Sequence, residues 1–345
     1  RLRNIPHYAF ASINQRVADL TAAGRDVIRL DAGSPDLPPP AFVIERLADA
    51  AHSSGSHRYA TYNGTPALRK AFADYYARRF EVALNPGTEV LPLLGSKEGL
   101  VNINLALVNP GDIVLVPDPG YPVYERGALL AGAIPYPVPL DPARHFMPAL
   151  STIPADVLSR ARMLWVNYPN NPTGALATIE DYAEIVAFCK QNSIILCSDN
   201  PYADLAFDSI RPPSVLEVPG AKDVAIEFNS LSKTYNMAGW RVGVCVGNAD
   251  MVGALLQVKS NIDSGMFIAV QEASVSAITH VSEEWIAERN TIYQRRRDII
   301  MEALPYIGLA AEIPAGAMYV WARVQDGDDQ AYVREALEET AASLV

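Results

Sequence analysis

Lys233 and Asp199 are the residues whose types and positions most directly suggest chemistry. Lys233 closes the string Ser-Leu-Ser-Lys, just after an apolar run typical of a strand. A buried lysine with a lowered pKa is a nucleophile that can form a Schiff base, whereas an exposed lysine is an ordinary surface charge. Asp199 ends another apolar run, where an unpaired carboxylate would cost desolvation free energy. It is therefore either a structural cap or ion pair, or it faces a cationic ligand atom.

Pyridoxal phosphate would use both side chains, since a lysine holds its aldehyde and a carboxylate keeps its pyridinium nitrogen protonated. Its phosphate would need donors, and Ser230 and Arg241 lie near Lys233 in the chain. Ser96 and Lys97 open a predicted helix, whose first amides and dipole favour an anion. A Gly-Ser-Lys helix start is not specific by itself, so the phosphate site is a hypothesis that depends on the neighbouring residues.

The elements that must position these residues are short apolar strands that alternate with helical stretches. We predict strands at 113–117, 163–167, 194–199 and 224–229, and helices at 95–107, 122–131 and 179–191. This alternation indicates β-α-β units and a mostly parallel sheet. Ligands bind outside the carboxyl ends of such strands. The loops that follow the four strands are therefore expected to form one site.

The two ends of the chain predict a second, smaller α/β domain. An amphipathic helix at 11–23 precedes a proline-rich segment at 35–40, and 283–304 is typical of a long charged helix. Beyond it, 317–322 is expected to be a strand and 329–343 a helix. We expect a large cofactor-binding domain over residues 41–285 and a small domain built from residues 1–40 and 286–345.

Composition excludes several classes of protein. Half of the 345 residues are hydrophobic and the net charge is −11, which excludes global disorder and argues against nucleic acid or an anionic membrane as a partner. No run of about 18 apolar residues is present, and the start lacks a signal-peptide pattern. Three cysteines without a C-x-x-C pattern favour a reducing compartment, so we expect a cytoplasmic protein. The five histidines show no metal-ligand spacing, and no metal is expected.

Five ordered motifs resemble those of the class I and II aminotransferases, which are fold-type-I pyridoxal-phosphate enzymes. They span residues 59–69, 118–124, 167–174 (Asn-Tyr-Pro-Asn-Asn-Pro-Thr-Gly), 198–202 and 230–243. Segments 94–99, 118–124 and 259–265 look most like the LL-diaminopimelate aminotransferase-like branch. The resemblance implies a seven-stranded, mostly parallel sheet flanked by helices, and a homodimer with shared active sites. It also implies transfer of an amino group from an L-amino acid to a 2-oxo acid, through a Lys233 Schiff base and pyridoxamine phosphate.

The resemblance further implies a role for each matching residue. Lys233 would form the Schiff base and act as acid and base, while Asp199 would hold the pyridine nitrogen protonated. Tyr202 and Asn171 would bind the ring's phenolic oxygen, and Asn171 would also reach the substrate carboxylate. The remaining assignments are stacking on the cofactor by Tyr121, phosphate binding by Ser96, Lys97, Ser230 and Arg241, a contact from Tyr59 to the phosphate of the neighbouring subunit, and closure over the substrate by the loop of Gly33.

Alternatives from other classes stay open. A β-lyase on the same fold would use the same lysine. The strings Ser230-Leu-Ser-Lys233 and Ser198-Asp-Asn200 also occur in serine acyl-enzyme hydrolases, but there in the opposite order and with a K-T-G that is missing here. A non-catalytic regulator would be expected to lack Lys233, Asp199 or Arg241, or to carry a basic DNA-binding segment, whereas all three residues are present and no such segment is seen in the sequence. The family's carboxylate-binding arginine would come after Val345, so no arginine present is given that role.

Overall fold

The computed structural model describes residue 5, residues 10–325 and residues 327–345. Its strands are β1 (Ile28–Arg29), β2 (Val90–Leu93), β3 (Ile113–Asp118), β4 (Ile134–Asp141), β5 (Met147–Pro148), β6 (Ala161–Asn167), β7 (Ile195–Asp199), β8 (Ala225–Ser230), β9 (Gly243–Gly247), β10 (Leu309–Ala310), β11 (Arg323–Val324) and β12 (Ala342–Ser343). Its helices are α1 (Phe10–Ala22), α2 (Ala41–His52), α3 (Pro66–Phe80), α4 (Ser96–Leu107), α5 (Val123–Ala131), α6 (Ala155–Leu158), α7 (Ile179–Asn192), α8 (Leu231–Thr234), α9 (Ala249–Lys259), α10 (Ile268–His280), α11 (Glu283–Ala303) and α12 (Asp329–Thr340).

An eight-stranded sheet in the order β2-β9-β8-β7-β6-β3-β4-β5 forms the centre of the molecule. Strands β4, β3, β6, β7 and β8 pair in parallel, and β9 runs antiparallel to both of its neighbours. The predicted α/β class and the mostly parallel sheet are confirmed. The eighth strand, β5, is a two-residue edge strand antiparallel to β4, which extends the seven strands expected.

Both faces of the sheet are buried, because alternate side chains of its strands enter two different apolar clusters. In β6, Leu164 and Val166 join a cluster with α3 and α7, whereas Met163 and Trp165 join a second cluster with α4 and α5. Branched residues suit such doubly buried strands. This burial explains why the four strands were recognisable as continuous apolar runs.

Three free cysteines lie within these layers. Cys189 is in α7, Cys197 in β7 and Cys245 in β9, and all three are buried. Burial raises the pKa of the Cys189 thiol to about 12, and it also raises the pKa values of the Cys197 and Cys245 thiols well above their usual range. The thiols therefore behave as small apolar groups in the core.

Two small sheets lie outside the central one, and the first of them joins the two ends of the chain. Strand β1 pairs in parallel with β12, and β10 pairs antiparallel with β11. Residues 1–4 and 6–9 of the predicted small domain lie outside the described residues. No helix within the described ranges is both long and apolar enough to cross a membrane.

Two predictions near the carboxyl end were wrong. The segment 317–322 is not a strand, because Ala317 has a left-handed φ of 60° and donates its N–H to Leu205 O at 2.9 Å instead of to a neighbouring strand. The helix predicted over 329–343 ends at Thr340, since Ala341 also has a left-handed φ, of 59°, and the chain then enters β12.

Candidate active site

The carboxyl ends of β6, β7 and β8 bring the predicted polar loops together. Register pairs Asn167 with Asp199, and Asp199 with Phe228. The Asn167 Nδ2 donates to the backbone oxygen of Asp199 at 2.7 Å, and its Oδ1 accepts from the Asn171 N–H at 2.6 Å. The sheet thus fixes the loop that carries Asn171 against the end of β7.

Asp199 is a buried carboxyl group with one oxygen still to be satisfied. The Tyr124 hydroxyl donates to its Oδ2 at 2.7 Å, and no described residue donates to its Oδ1. Burial is the main cause that raises the pKa of Asp199 to about 7. The hydrogen bond from Tyr124 lowers this pKa, and the charge of Glu227 raises it. Because an orphaned buried acceptor is costly, Oδ1 is suited to a protonated ligand nitrogen.

Lys233 projects from the short helix α8 toward the amino-terminal part of the chain. Its Nζ donates to Gly33 O at 2.6 Å and lies 5.8 Å from the centre of the Tyr202 ring. Burial, and then repulsion from Arg241, lowers the pKa of Lys233 to about 8. This pKa leaves an appreciable fraction of neutral amine near neutral pH, as a nucleophile or base requires.

Positive charge gathers at the amino end of α4. A side chain at Gly95 would collide with Arg241 Nη2, and one at Gly243 would collide with the backbone nitrogen of Ser96. The pKa of Lys97 is lowered by burial and then by the charges of Arg126 and Arg241. A helix start beside mutually repelling cations is suited to bind an anion, because an anion relieves their repulsion.

Ser230 adjoins this site through β9. It pairs in register with Gly243, its Oγ accepts from the Ser232 N–H at 3.2 Å, and the same hydroxyl donates to Val242 O at 3.3 Å. The predicted phosphate-binding residues Ser96, Lys97, Ser230 and Arg241 therefore lie around one end of α4.

Tyr121 and Tyr59 occupy different surroundings. The Tyr121 ring meets the Tyr124 ring edge to face at 5.9 Å, and Lys97 Nζ lies 5.8 Å from its centre. Tyr121 thus lies beside Tyr124, which bonds Asp199, and beside Lys97 at the start of α4. Tyr59 is 89% exposed, and within the described residues it makes no hydrogen bond or ring contact with Lys233, Asp199 or α4.

Gly33, Asn171 and Tyr202 converge on a residue that the sequence analysis missed. The Tyr319 hydroxyl lies 2.6 Å from the Tyr202 hydroxyl, and Asn171 Nδ2 donates to it at 3.3 Å. Burial, and then Tyr319, raises the pKa of Tyr202 well above its usual value, so Tyr202 keeps its proton.

Arg289 was also missed, although it is buried beside the lysine. It donates from Nη1 to Lys233 O and from Nη2 to Asp204 O, both at 2.6 Å, and it contacts Thr234 O. Tyr124 could have been found within the motif 118–124. Arg289 and Tyr319 carry no local signal, because only the tertiary fold brings them to the site.

These residues fit pyridoxal phosphate. The orphaned Oδ1 of Asp199 matches a protonated pyridine nitrogen, and the amine of Lys233 matches an aldehyde. The cradle formed by Gly95 and Gly243 beside the cations matches a phosphate, since a Cβ at either position would fill it.

Comparison with known proteins agrees with this geometry. The family model for aminotransferase class I and II matches residues 25–343. The chain is 48% identical to LL-diaminopimelate aminotransferase of Moorella thermoacetica over 345 residues, which is 100% of the chain and 88% of that protein. It is also 48% identical to LL-diaminopimelate aminotransferase 2 of Trichormus variabilis, over 95% of the chain and 84% of that protein.

Solved structures show the same fold. Substrate-bound BacF of Bacillus subtilis superposes with a TM-score of 0.94 at 36% identity. The match covers 99% of this chain and 87% of the BacF chain. The aspartate aminotransferase of Thermus thermophilus, as a single mutant, gives a TM-score of 0.92 at 27% identity, over 99% of the chain and 89% of its own. The chain therefore belongs to the class I and II aminotransferases and is a pyridoxal-phosphate-dependent transferase of the LL-diaminopimelate aminotransferase-like branch.

Proposed function

We propose that this aminotransferase takes LL-diaminopimelate as an amino substrate and that Lys233, Asp199 and Tyr202 are its catalytic residues. The substrate is supported by the names of its relatives, which are 46–48% identical over nearly the whole chain. One observation carries the residue roles: two buried groups suit the two ends of the ligand. The Asp199 oxygen lacks a donor, and the Lys233 amine has a lowered pKa.

Lys233 would hold the cofactor and then move a proton at the substrate α-carbon. Pyridoxal phosphate, when bound, supplies an electron-withdrawing ring that stabilises negative charge at that carbon. An amine with a pKa of about 8 can both take up and return a proton near neutral pH. Asp199 would hold a proton on the ring nitrogen through Oδ1, while Tyr124 fixes Oδ2.

The other predicted residues would orient the ligands. Tyr202 and Asn171 would donate to the phenolic oxygen, and Asn171 would also reach the substrate carboxylate. Tyr121 would stack on the ring. The phosphate would bind at the amino end of α4, to Ser96, Lys97, Ser230 and Arg241. Gly33 would belong to the loop that closes over the substrate, which agrees with its position between Lys233 and Tyr319.

We also propose a homodimer in which Tyr59 binds the phosphate of the partner subunit. Exposed apolar side chains support this proposal: Tyr62 and Phe267 are 49% and 44% exposed, and the His57 ring lies tilted against the Phe267 ring with centres 6.0 Å apart. We further propose that residues 41–285 form a large domain and that residues 1–40 and 286–345 together form a small one. The buried free cysteines favour a reducing compartment such as the cytoplasm.

The substrate proposal is tested by mixing the loaded protein with single amino acids. LL-diaminopimelate should convert the visible band at ~420 nm to a band at ~330 nm, and a 2-oxo acid should restore the visible band. The screen includes aspartate, alanine and glutamate. Conversion by these amino acids with none by LL-diaminopimelate would refute the proposed substrate. Release of free ammonia together with pyruvate would instead indicate the β-lyase, because amino-group transfer from alanine also yields pyruvate but leaves the nitrogen on the cofactor.

The role of Lys233 is tested by Lys233→Ala, with Lys190→Ala on the surface as the matched control. The first variant should lose the visible band, and its turnover should fall by roughly 10⁴-fold or more, since both attachment and proton transfer are lost. The control should retain both. A retained band with substantial turnover in Lys233→Ala would exclude the assigned role.

Hybrid dimers test the role of Tyr59. Lys233→Ala and Tyr59→Ala subunits should each be inactive or impaired when alone. If Tyr59 acts in the partner's site, a mixed dimer contains one site without a lesion, so mixing should restore activity. If Tyr59 acts in its own site, every site carries a lesion and mixing should restore nothing.

A further inference from the structure

The Tyr319 hydroxyl lies at the centre of the residues assigned to the cofactor's phenolic side. It is 2.6 Å from the Tyr202 hydroxyl and 3.3 Å from Asn171 Nδ2. A Cβ at Gly33 would be 2.6 Å from it, and the Gly33 carbonyl accepts from Lys233. The Tyr202 and Tyr319 rings meet edge to face, with centres 5.8 Å apart.

The segment that carries Tyr319 is bonded to the loops that carry Tyr202 and Asn171. Ala317 N–H donates to Leu205 O at 2.9 Å, and Gly316 N–H donates to Gly174 O at 3.2 Å. Phe207 N–H donates in turn to Ala315 O at 2.9 Å. Tyr319 therefore has a fixed place relative to both side chains.

The direction of these hydrogen bonds follows from what each group must do. Asn171 Nδ2 can only donate, so the Tyr319 oxygen accepts from it. Tyr202 must keep its own O–H proton for the ligand, so in the pair of hydroxyls Tyr319 is the donor and Tyr202 the acceptor. Donation then runs from Asn171 through Tyr319 to Tyr202.

We propose that Tyr319 is a positioning residue that orients and polarises the Tyr202 hydroxyl toward the phenolic oxygen of the cofactor. This inference rests on the proposed roles of Tyr202 and Asn171. A hydroxyl that accepts a hydrogen bond is a stronger donor, because bonds in a chain polarise one another. Stronger donation favours the ionised form of the oxygen that accepts it.

The charged and titratable groups around Tyr202 do not supply the same effect. Asp199 and Tyr121 act on Tyr202 through space, and the Lys233 amine lies 5.8 Å from its ring centre. Of the groups facing Tyr202 in the described residues, Tyr319 is the one with a hydrogen bond to the Tyr202 oxygen. Removing the Tyr319 hydroxyl should therefore change the donor strength of Tyr202 while these charges stay in place.

The test is a pH titration of the visible band in the cofactor-loaded protein. Tyr319→Phe weakens donation to the phenolic oxygen and so disfavours its ionised form, which should raise the pH midpoint of this titration. The expected rise is roughly 0.1–0.7 unit, since cooperativity changes a hydrogen bond to a charged group by about 10–30%. Tyr332→Phe is the matched control, because it also removes a phenol hydroxyl, bonded to Ile307 O at 2.7 Å. It should leave the midpoint unchanged.

The double variant separates this inference from the proposed function. In a Tyr202→Phe background, Tyr319→Phe should cause no further shift, because its effect passes through Tyr202. An equal shift in both backgrounds, or no shift in the single variant, would overturn the role of Tyr319. If Tyr202→Phe itself leaves the midpoint unchanged, the role proposed for Tyr202 fails instead. Thermal unfolding of each variant shows whether the fold is intact.

Discussion

The buried carboxyl group of Asp199 is suited to a cationic ligand atom but should destabilise the ligand-free fold. Its pKa is raised to about 7, so between about pH 4 and 7 the folded state holds a proton that the unfolded state releases. The free energy of unfolding should therefore fall as the pH rises through this window and level off above it.

Asp199→Asn should remove this dependence. In cofactor-stripped protein, the variant should gain stability relative to wild type as the pH rises from 4 to 8, because it buries no charge. Melting temperatures across this range measure the difference. A difference that does not change with pH would contradict the raised pKa. With cofactor present the order should reverse, since the variant lacks the carboxylate that binds the ring nitrogen.

Gly33→Ala offers a second way to move Tyr319 without changing it. The added Cβ would lie 2.6 Å from the Tyr319 hydroxyl oxygen and 2.8 Å from ring carbon Cε1, so the ring must shift. We expect the pH midpoint of the visible band to rise as in Tyr319→Phe. Gly55→Ala, whose Cβ would meet only an atom 3.7 Å away, is the control. Equal midpoints in the two alanine variants would contradict the steric argument.

At the scale of elements, α4 and β9 together form the proposed phosphate cradle. In Gly243→Ala the new Cβ would collide with Ser96 N and lie 3.0 Å from Ser96 Cα, so the first turn of α4 must move. Overpacking of this kind should weaken cofactor binding by roughly 10- to 100-fold, measured as a dissociation constant by fluorescence titration.

Gly253→Ala is the matched control for the cradle. Gly253 lies within α9, and no atom is within 4 Å of its ideal Cβ. Alanine there should leave the dissociation constant unchanged and stabilise the helix by up to about 1 kcal/mol. Weakened binding in both variants would show that the loss does not arise from the cradle.

Arg289 joins helix α11 to the short helix α8, which carries Lys233. Arg289 is 3% exposed, and its guanidinium donates to the backbone oxygens of Lys233 and Asp204. Arg289→Met should lower the free energy of unfolding by about 3 kcal/mol or more, because buried carbonyl groups lose their donors. Arg296→Met, on the same helix, breaks an exposed pair with Asp36 and should cost at most about 1 kcal/mol. Chemical denaturation compares the two, and similar losses would refute a special role for Arg289.

At the scale of the whole molecule, the sequence was most informative where burial is local and continuous. Strands β3, β6, β7 and β8 were predicted to within two residues at each end, because each is an apolar run buried on both faces. The loops after them held most of the predicted site. Pattern alone failed where the chain leaves the sheet: the hydrophobic segment 317–322 suggested a strand, yet a left-handed Ala317 directs it along the site.

The residues that were missed share one physical cause. Tyr319 and Arg289 reach the site from segments far from it in sequence, through contacts with Tyr202 and with Lys233. No spacing rule specifies such contacts, because they depend on how α11 and the segment after it pack against the sheet. The family resemblance did not indicate them either, since its motifs lie elsewhere.

The buried cysteines have a practical consequence. A thiol reagent attacks the thiolate, and the raised pKa values and burial of Cys189, Cys197 and Cys245 suppress that form in the folded protein. The rate at which these thiols are labelled therefore measures how often the layers around β7 and β9 open. A cysteine introduced on the surface can carry a fluorophore selectively while all three native thiols stay in place.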